Sequence, residues 1–257
     1  LVHIIKRIDG LNVKEQFLGI KLPNSPFAFI LDESLSLIVE RYLRLFDKNE
    51  LVALKEIRRM TNGYVNRESD TKFILEKVKE ETQKYVLKDS FRELVRRSNA
   101  YHEIRHLNDY KEGRRIGISV PEVLNYFCDN IKKDNFFSLD SNFKAEKDIC
   151  EILLKVNPEF SAYLYELVNS DGLRRLVLLN LFEKLVNPDK DDTSHQWAAK
   201  LIMYRLGEMN GLTGRNLIAL PLDGNEEEWF GILKGLLGLP AEKLERDAAR
   251  LLMVEYR

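Results

Sequence analysis

Apolar side chains recur every three or four positions along most of the chain beyond residue 31. This spacing places them on one face of an α-helix, so the pattern predicts amphipathic helices packed around a core. Asp32 can cap the first of these helices. Its apolar face comprises Leu35, Ile38, Val39, Tyr42, Leu43 and Phe46.

Helix-start signals recur down the chain and divide it into about ten helices. Two pairs have capping-box spacing, Ser90 with Glu93 and Ser119 with Glu122. A helix over about 142–156 should end where Asn157-Pro158 opens the next one, because proline suits a first turn and disrupts a helix interior. The other start signals are Asn49, Asp70, Asp171, Ser194, Asn225 and Pro240.

The first thirty residues have a different pattern. Leu1–Ile8 is rich in β-branched residues and can form a short strand, whereas Pro23 and Pro26 make Ile20–Ile30 irregular or extended. Beyond this segment, strands do not alternate with helices as a parallel sheet would require. The predicted fold is all-α, a multi-helix array or bundle of about ten helices, with a short strand or irregular segment in the first 30 residues.

The polar stretch Asn187–Thr193 is the best candidate for a domain boundary. It would separate a helical domain over 31–186 from a C-terminal helical subdomain over 194–257, with 1–30 as an extended N-terminal segment. The alternative is that this stretch is a surface loop within one continuous domain.

The composition excludes several classes of protein. The chain has 257 residues, with 40 Lys and Arg, 41 Asp and Glu, and only 13 Gly and 7 Pro, which excludes disordered and collagen-like chains. No apolar run approaches the ~20 residues that a membrane-spanning helix needs. Cys128 and Cys150 are too few for a disulfide framework, so we expect a cytoplasmic, intracellular protein. Because the chain begins at Leu1 rather than Met, we expect it to be part of a longer protein.

One short motif has the spacing of a metal site. Residues 102–106 read His-Glu-Ile-Arg-His, the pattern HExxH, in a protein that has only four histidines. On a helix, His102 and His106 share one face and can bind one Zn²⁺, with Glu103 near enough to act as general base.

These five residues resemble the zinc-binding helix of zincin metallopeptidases. The resemblance implies zinc as cofactor, His102 and His106 as ligands, Glu103 as the catalytic base and a third ligand further along the chain. Glu122 is our candidate for that ligand, with Glu146 and Glu151 as alternatives.

Two other interpretations of this segment stay open. The helix is polar around the motif, so His102, Glu103 and His106 could be surface residues on a solvated helix. In addition, Arg97 followed after four residues by His102 resembles the Arg-x4-His element of HEPN-type ribonucleases, which are also helical.

Three functions from different classes follow. The first is a helical protein-interaction module (adaptor or scaffold) that binds a protein partner, with Trp229, Phe230 and Leu236-Leu237 as a candidate contact surface or, alternatively, part of the core. The second is a zinc-dependent hydrolase. The third is a nucleic-acid-associated module, for which net charge −1 gives little support. Its candidate contacts are Arg58-Arg59, Arg96-Arg97, Arg114-Arg115 and Arg174-Arg175.

Overall fold

The computed structural model describes residues 2–5, 19–21, 28–86, 90–111, 145–187, 193–214, 217 and 225–254. Among these residues the chain forms nine α-helices and one small sheet, which confirms the predicted all-α array. The helices are α1 (Asp32–Leu43), α2 (Glu50–Met60), α3 (Glu68–Val86), α4 (Phe91–Lys111), α5 (Ala145–Asn169), α6 (Arg174–Val186), α7 (Thr193–Met209), α8 (Glu226–Leu237) and α9 (Ala241–Val254).

A three-stranded sheet precedes the helices. Its strands are β1 (Val2–Ile5), β2 (Gly19–Lys21) and β3 (Ala28–Leu31), in the order β1-β3-β2. β1 runs parallel to β3, and β2 runs antiparallel to it. The sheet packs against α1 and α4. The strand predicted within the first eight residues is therefore confirmed as β1.

Several helix ends follow the chemistry that the sequence predicts. The Asn49 side chain caps α2 by accepting a hydrogen bond from the Leu51 amide at 3.1 Å. After α2, Asn62 and Gly63 take positive φ angles of 49° and 73°, a conformation that stops a helix. At the start of α4, the Ser90 hydroxyl donates to the Tyr85 carbonyl at 3.2 Å, and the Glu93 carboxylate is bound by Arg96 and Arg97.

The prediction that one helix ends and another begins at Asn157-Pro158 is wrong. α5 runs unbroken from Ala145 to Asn169 with Pro158 in its interior. A proline there costs about 3 kcal/mol, but burying one large apolar side chain gains about 1.5–3 kcal/mol. α5 buries several around and beyond the proline, against α4, α7 and α9. They are Val156, Phe160, Leu164 and Leu167.

The α6 helix shows a start that sequence signals did not indicate. We predicted that Asp171 opens this helix, but it begins at Arg174. Glu81, from α3, lies across its N-terminus and accepts hydrogen bonds from the Arg174 and Arg175 amides at 3.1 and 2.9 Å. A carboxylate from a distant helix therefore satisfies the free amides that a local cap would otherwise bind.

One hydrophobic core receives residues from all nine helices. Helices on both sides of the stretch 187–193 pack together, since α7 contacts α5 and α6. The domain division at that stretch stays a prediction. Trp229, Leu236 and Leu237 are fully buried, so the surface that they could have offered to a partner is part of the core. No helix in the described ranges is long and apolar enough to cross a bilayer.

In each described arginine pair, at least one arginine forms an ion pair with an acidic side chain. Arg114-Arg115 lies outside the described residues. The ion pairs of the others are Arg59 with Glu56, Arg96 with Glu93, Arg174 with Glu245 and Arg175 with Glu80. These ion pairs occupy much of the charge of the described arginines, and the nucleic-acid function stays a prediction.

Candidate metal centre

The α4 helix buries a polar face. His102, Glu103, Arg105 and Asp109 are each at most 9% exposed, and Ser98 is 3% exposed. The alternative that His102 and Glu103 are surface residues on a solvated helix is therefore wrong. The sequence pattern failed here because α4 packs its polar residues against a second polar face, on α5, rather than against water.

His102 and His106 face each other across one turn of α4. Their Nε2 atoms lie 3.1 Å apart, and their ring centroids are separated by 4.8 Å. Two imidazole nitrogens at this distance need either a shared proton or a bound cation between them, because two lone pairs repel.

Glu159, on α5, is the acid on which these histidines converge. Its Oε2 lies 3.2 Å from His102 Nε2, and its Oε1 lies 3.4 Å from His106 Nε2. The donor atoms of His102, His106 and Glu159 all lie within 4.8 Å of one another. Donors about 2.0–2.1 Å from a tetrahedral Zn²⁺ stand about 3.3 Å apart, so these separations suit a single ion.

A third histidine joins the cluster from α7. His195 Nδ1 lies 3.0 Å from Glu159 Oε2 and 2.9 Å from the Tyr163 hydroxyl. Three of the four histidines in the chain therefore meet at one carboxylate. The side chain of His195 is 27% exposed, against 11% for His102, so the cluster reaches solvent on the α7 side.

A second carboxylate stands behind His102. Glu166 Oε2 lies 3.5 Å from His102 Nδ1, the ring nitrogen that faces away from Glu159. Glu166 Oε1 accepts a 2.6 Å hydrogen bond from the Ser98 hydroxyl. Ser98 is in turn 2.7 Å from the Ser170 hydroxyl, so the polar faces of α4 and α5 continue beyond the histidines.

Charge governs the protonation of the cluster when no metal is bound. Burial disfavours the charged form of His102, but the interactions with Glu159 and Glu166 outweigh it and raise the pKa of His102 to about 10. For Glu159, burial favours the neutral acid, but the three histidines hold its pKa well below the usual range. Glu159 is thus ionised at neutral pH, as a metal ligand must be.

Two buried atoms of the cluster have no aligned hydrogen bond within the described part of the chain. They are His102 Nδ1 and Glu159 Oε2. Buried polar atoms are normally satisfied, and Glu159 Oε2 lies on the side of the cluster that two imidazoles face. A cation bound by Glu159 would satisfy this oxygen.

Arg105, inside the motif, does not direct its charge at the cluster. Its Nε donates to the Ser161 hydroxyl at 2.6 Å and lies 3.1 Å from Asp109 Oδ1. Its guanidinium group also stacks 5.6 Å from the centre of the Tyr165 ring. The positive charge next to His106 in sequence is therefore compensated by the opposite helix and by Asp109.

The other predicted site residues have different outcomes. Glu122 lies outside the described residues, as do the side chains of Glu146 and Glu151. No ion pair or hydrogen bond within the described ranges joins Glu103 to the cluster, so its role as base stays a prediction. Arg97 is bound to Glu93 at 3.1 Å with its side chain 63% exposed, away from the buried His102.

Sequence reasoning did not find Glu159 and His195. No motif marks Glu159, because it is one of 41 acidic residues. Two signals were nevertheless present. Histidine is rare in this chain, and a polar stripe on α5 has the helical spacing that places its members on one face. That stripe comprises Glu159, Tyr163 and Glu166, and Ser170 continues its spacing directly after the helix.

Comparisons with known proteins give no relative for this chain. No protein-family model, no curated protein and no solved structure matches it. The case for a function therefore rests on the geometry of the cluster.

Proposed function

We propose that this protein is a metal-dependent hydrolase of the zinc class, with His102, His106 and Glu159 as the metal ligands. The observation that carries the proposal is the convergence of their three donor atoms within 4.8 Å, from two helices. Two histidines and one glutamate are a ligand set of catalytic zinc sites, in which the fourth position is left to water or substrate.

The chemistry of the donors favours Zn²⁺. Two imidazole nitrogens and one carboxylate oxygen suit a borderline ion, whereas Mg²⁺ and Ca²⁺ prefer oxygen ligands alone. A bound zinc ion would supply Lewis acidity and lower the pKa of a coordinated water to about 7.

The surrounding residues would hold this site and keep it accessible. The side chains of His106 and Glu159 are 16% and 17% exposed, so the ligands are shielded without being sealed. His195 lies at the more exposed side, where its Nδ1 contacts the ligand Glu159. A polar neighbour in contact with a ligating carboxylate helps to fix its orientation, so we assign His195, at 3.0 Å from Oε2, to positioning Glu159.

Metal analysis tests the ligand set. Protein prepared without a polyhistidine tag should bind one equivalent of Zn²⁺ after dialysis against a dilute zinc buffer. Glu159→Gln and His106→Ala should each lose most of it, because two remaining donors make only a weak chelate. His3→Gln is the matched control, since His3 lies on β1 and is not a member of the cluster. The proposal is contradicted if the wild type binds less than one equivalent of Zn²⁺, or if Glu159→Gln binds as much Zn²⁺ as the wild type.

Hydrolysis of a chromogenic ester tests the activity. The zinc-loaded protein should hydrolyse the ester faster than the chelator-treated protein and than Glu159→Gln. If Glu103 is the general base, Glu103→Gln should keep its zinc and lose about 10²-fold or more in rate. If the wild type binds stoichiometric zinc but hydrolyses the ester no faster than Glu159→Gln, the protein has a metal site that is not hydrolytic.

The interaction-module function stays a prediction. Burial of Trp229 and the leucine pair removes the one surface nominated for it. The metal cluster is the better-supported basis for function, because it brings three of the four histidines together at one carboxylate.

A further inference from the structure

His102 directs its two ring nitrogens at two different carboxylates. Nε2 lies 3.2 Å from Glu159 Oε2, within the donor cluster, and Nδ1 lies 3.5 Å from Glu166 Oε2 on the opposite side of the ring. A neutral imidazole that binds a cation through Nε2 must carry its proton on Nδ1. An acceptor at Nδ1 therefore selects the tautomer that can bind metal.

We infer that Glu166 is a positioning residue of the metal centre, which holds His102 with Nε2 directed at the ion. This inference rests on the proposed function, since it assigns Glu166 a role toward the same three ligands. A carboxylate behind a ligating histidine fixes the ring and strengthens the ligand. The separation of 3.5 Å exceeds a direct hydrogen bond, and we expect it to shorten once Nδ1 carries the only ring proton.

Glu166 is itself held in place by a buried serine of α4, which in turn contacts a second buried serine. Its Oε1 accepts from the Ser98 hydroxyl of α4 at 2.6 Å, and Ser98 lies 2.7 Å from the hydroxyl of Ser170, the residue directly after α5. Ser98, Glu166 and Ser170 are 3%, 7% and 3% exposed. This buried arrangement leaves Glu166 Oε2 directed at His102 and gives the carboxylate little freedom to turn toward solvent.

Burial of Glu166 is hard to explain by packing alone. A carboxylate removed from water is costly unless charged or hydrogen-bonding groups compensate it. The described side-chain partners of Glu166 are Ser98 at Oε1 and His102 at Oε2. The role of Glu166 is therefore linked to His102 rather than to the apolar core.

Co²⁺ binding tests this inference, because Co²⁺ replaces Zn²⁺ in sites with the same ligands and has a visible absorption spectrum. The dissociation constant and the spectrum should be measured for the wild type, Glu166→Ala and Glu166→Gln. Glu166→Ala should weaken binding by about 10–100-fold, the effect of losing an outer partner of a ligand. Glu166→Gln keeps an acceptor oxygen of the same reach and should lose less than about 10-fold.

Asp109→Asn provides the matched control. Asp109 is also a buried carboxylate between α4 and α5, at 8% exposure, but its described ion pair is with Arg105. We expect Asp109→Asn to bind Co²⁺ like the wild type, with an unchanged spectrum. Thermal unfolding without metal checks that each variant is folded. If Glu166→Ala does not fold, Co²⁺ binding is measured in Glu166→Gln and Ser98→Ala instead. Each of these variants should bind Co²⁺ more weakly than the wild type.

The outcomes separate the two proposals. A wild type that binds Co²⁺, together with folded Glu166 variants that bind it equally well, would overturn the role of Glu166 and leave the metal centre intact. A wild type that does not bind Co²⁺ would overturn the metal centre and this inference with it. Equal weakening by Asp109→Asn would show a general effect of buried charge and would also overturn the specific role of Glu166.

Discussion

At the level of single residues, the candidate site was predictable only where its members lie close in sequence. His102 and His106 could be paired from the sequence because a spacing of four places both on one helix face. Glu159 could not be found in this way, because its partners come from α4 and α7 and only the packing of α5 between those helices brings them together. Glu122 was proposed as the third ligand because it follows the motif at a predicted helix start, and it lies outside the described residues, so that role stays a prediction.

A buried lysine gives a pH-dependent prediction at the same scale. Lys200 is 4% exposed, with its ammonium group 4.8 Å from the centre of the Trp197 ring. Burial lowers the pKa of Lys200 to about 8 from the usual 10.5. Between these two values the unfolded chain binds more protons than the folded one, so the lysine's contribution to stability rises with pH, by up to about 1.4 kcal/mol per pH unit.

The measurement is the free energy of unfolding of the wild type and of Lys200→Met from about pH 7 to pH 10. As the pH rises across this range, the free energy of unfolding of the wild type should increase by about 1–3 kcal/mol relative to that of the variant. Lys48→Met, at an exposed position, is the control and should show no such gain. If the difference in free energy of unfolding between the wild type and Lys200→Met stays constant with pH, the lowered pKa of Lys200 is contradicted.

At the level of helices and loops, the sequence predicted the number and type of the elements better than their ends. Local signals located the end of α2, because Asn62 and Gly63 determine it by their own backbone conformation. Local signals failed at Pro158 and at the start of α6, because contacts with other helices determine where those helices begin and end. The polar residues of α4 did not indicate a solvated helix, because they pack against polar residues of α5.

The turn before α6 should tolerate no side chain at residue 172. Gly172 has a φ of +81°, and a Cβ there would lie 2.2 Å from Cε2 of the Tyr85 ring. Its carbonyl also accepts a hydrogen bond from Thr82 at 2.8 Å, which ties the turn to α3. Gly172→Ala should therefore lower the free energy of unfolding by more than about 1 kcal/mol.

Gly231→Ala is the control for this substitution. Gly231 lies inside α8, and a Cβ there meets nothing within 4 Å. The free energy of unfolding of this variant should increase by about 0.5–1 kcal/mol, because alanine favours a helix more than glycine does. Chemical denaturation of both variants gives the comparison, and similar changes in both would contradict the described packing of the turn.

At the level of the whole molecule, the metal centre would join helices from distant parts of the chain. His102 and His106 lie on α4, Glu159 on α5, and His195 on α7, beyond the predicted boundary at 187–193. A ligand that binds only the folded state stabilises it by mass action, by about 2.7 kcal/mol at 100 times its dissociation constant. Zn²⁺ should thus stabilise the entire folded chain.

Thermal unfolding with and without Zn²⁺ checks this expectation. For a chain of this size, 2.7 kcal/mol corresponds to an increase in Tm of about 5–10 °C. The increase should persist in His3→Gln and be absent in Glu159→Gln. An equal increase in Glu159→Gln would mean that the ion binds elsewhere.

X-ray absorption at the zinc edge tests the central claim most directly, because it reports the ligands of the ion itself. The account predicts nitrogen and oxygen ligands at about 2.0–2.1 Å in the wild type, with imidazole scattering that fits two histidines. Sulfur scattering at about 2.3 Å would instead indicate binding by Cys128 or Cys150. Sulfur scattering, or a spectrum with no imidazole contribution, would contradict a centre built from His102, His106 and Glu159.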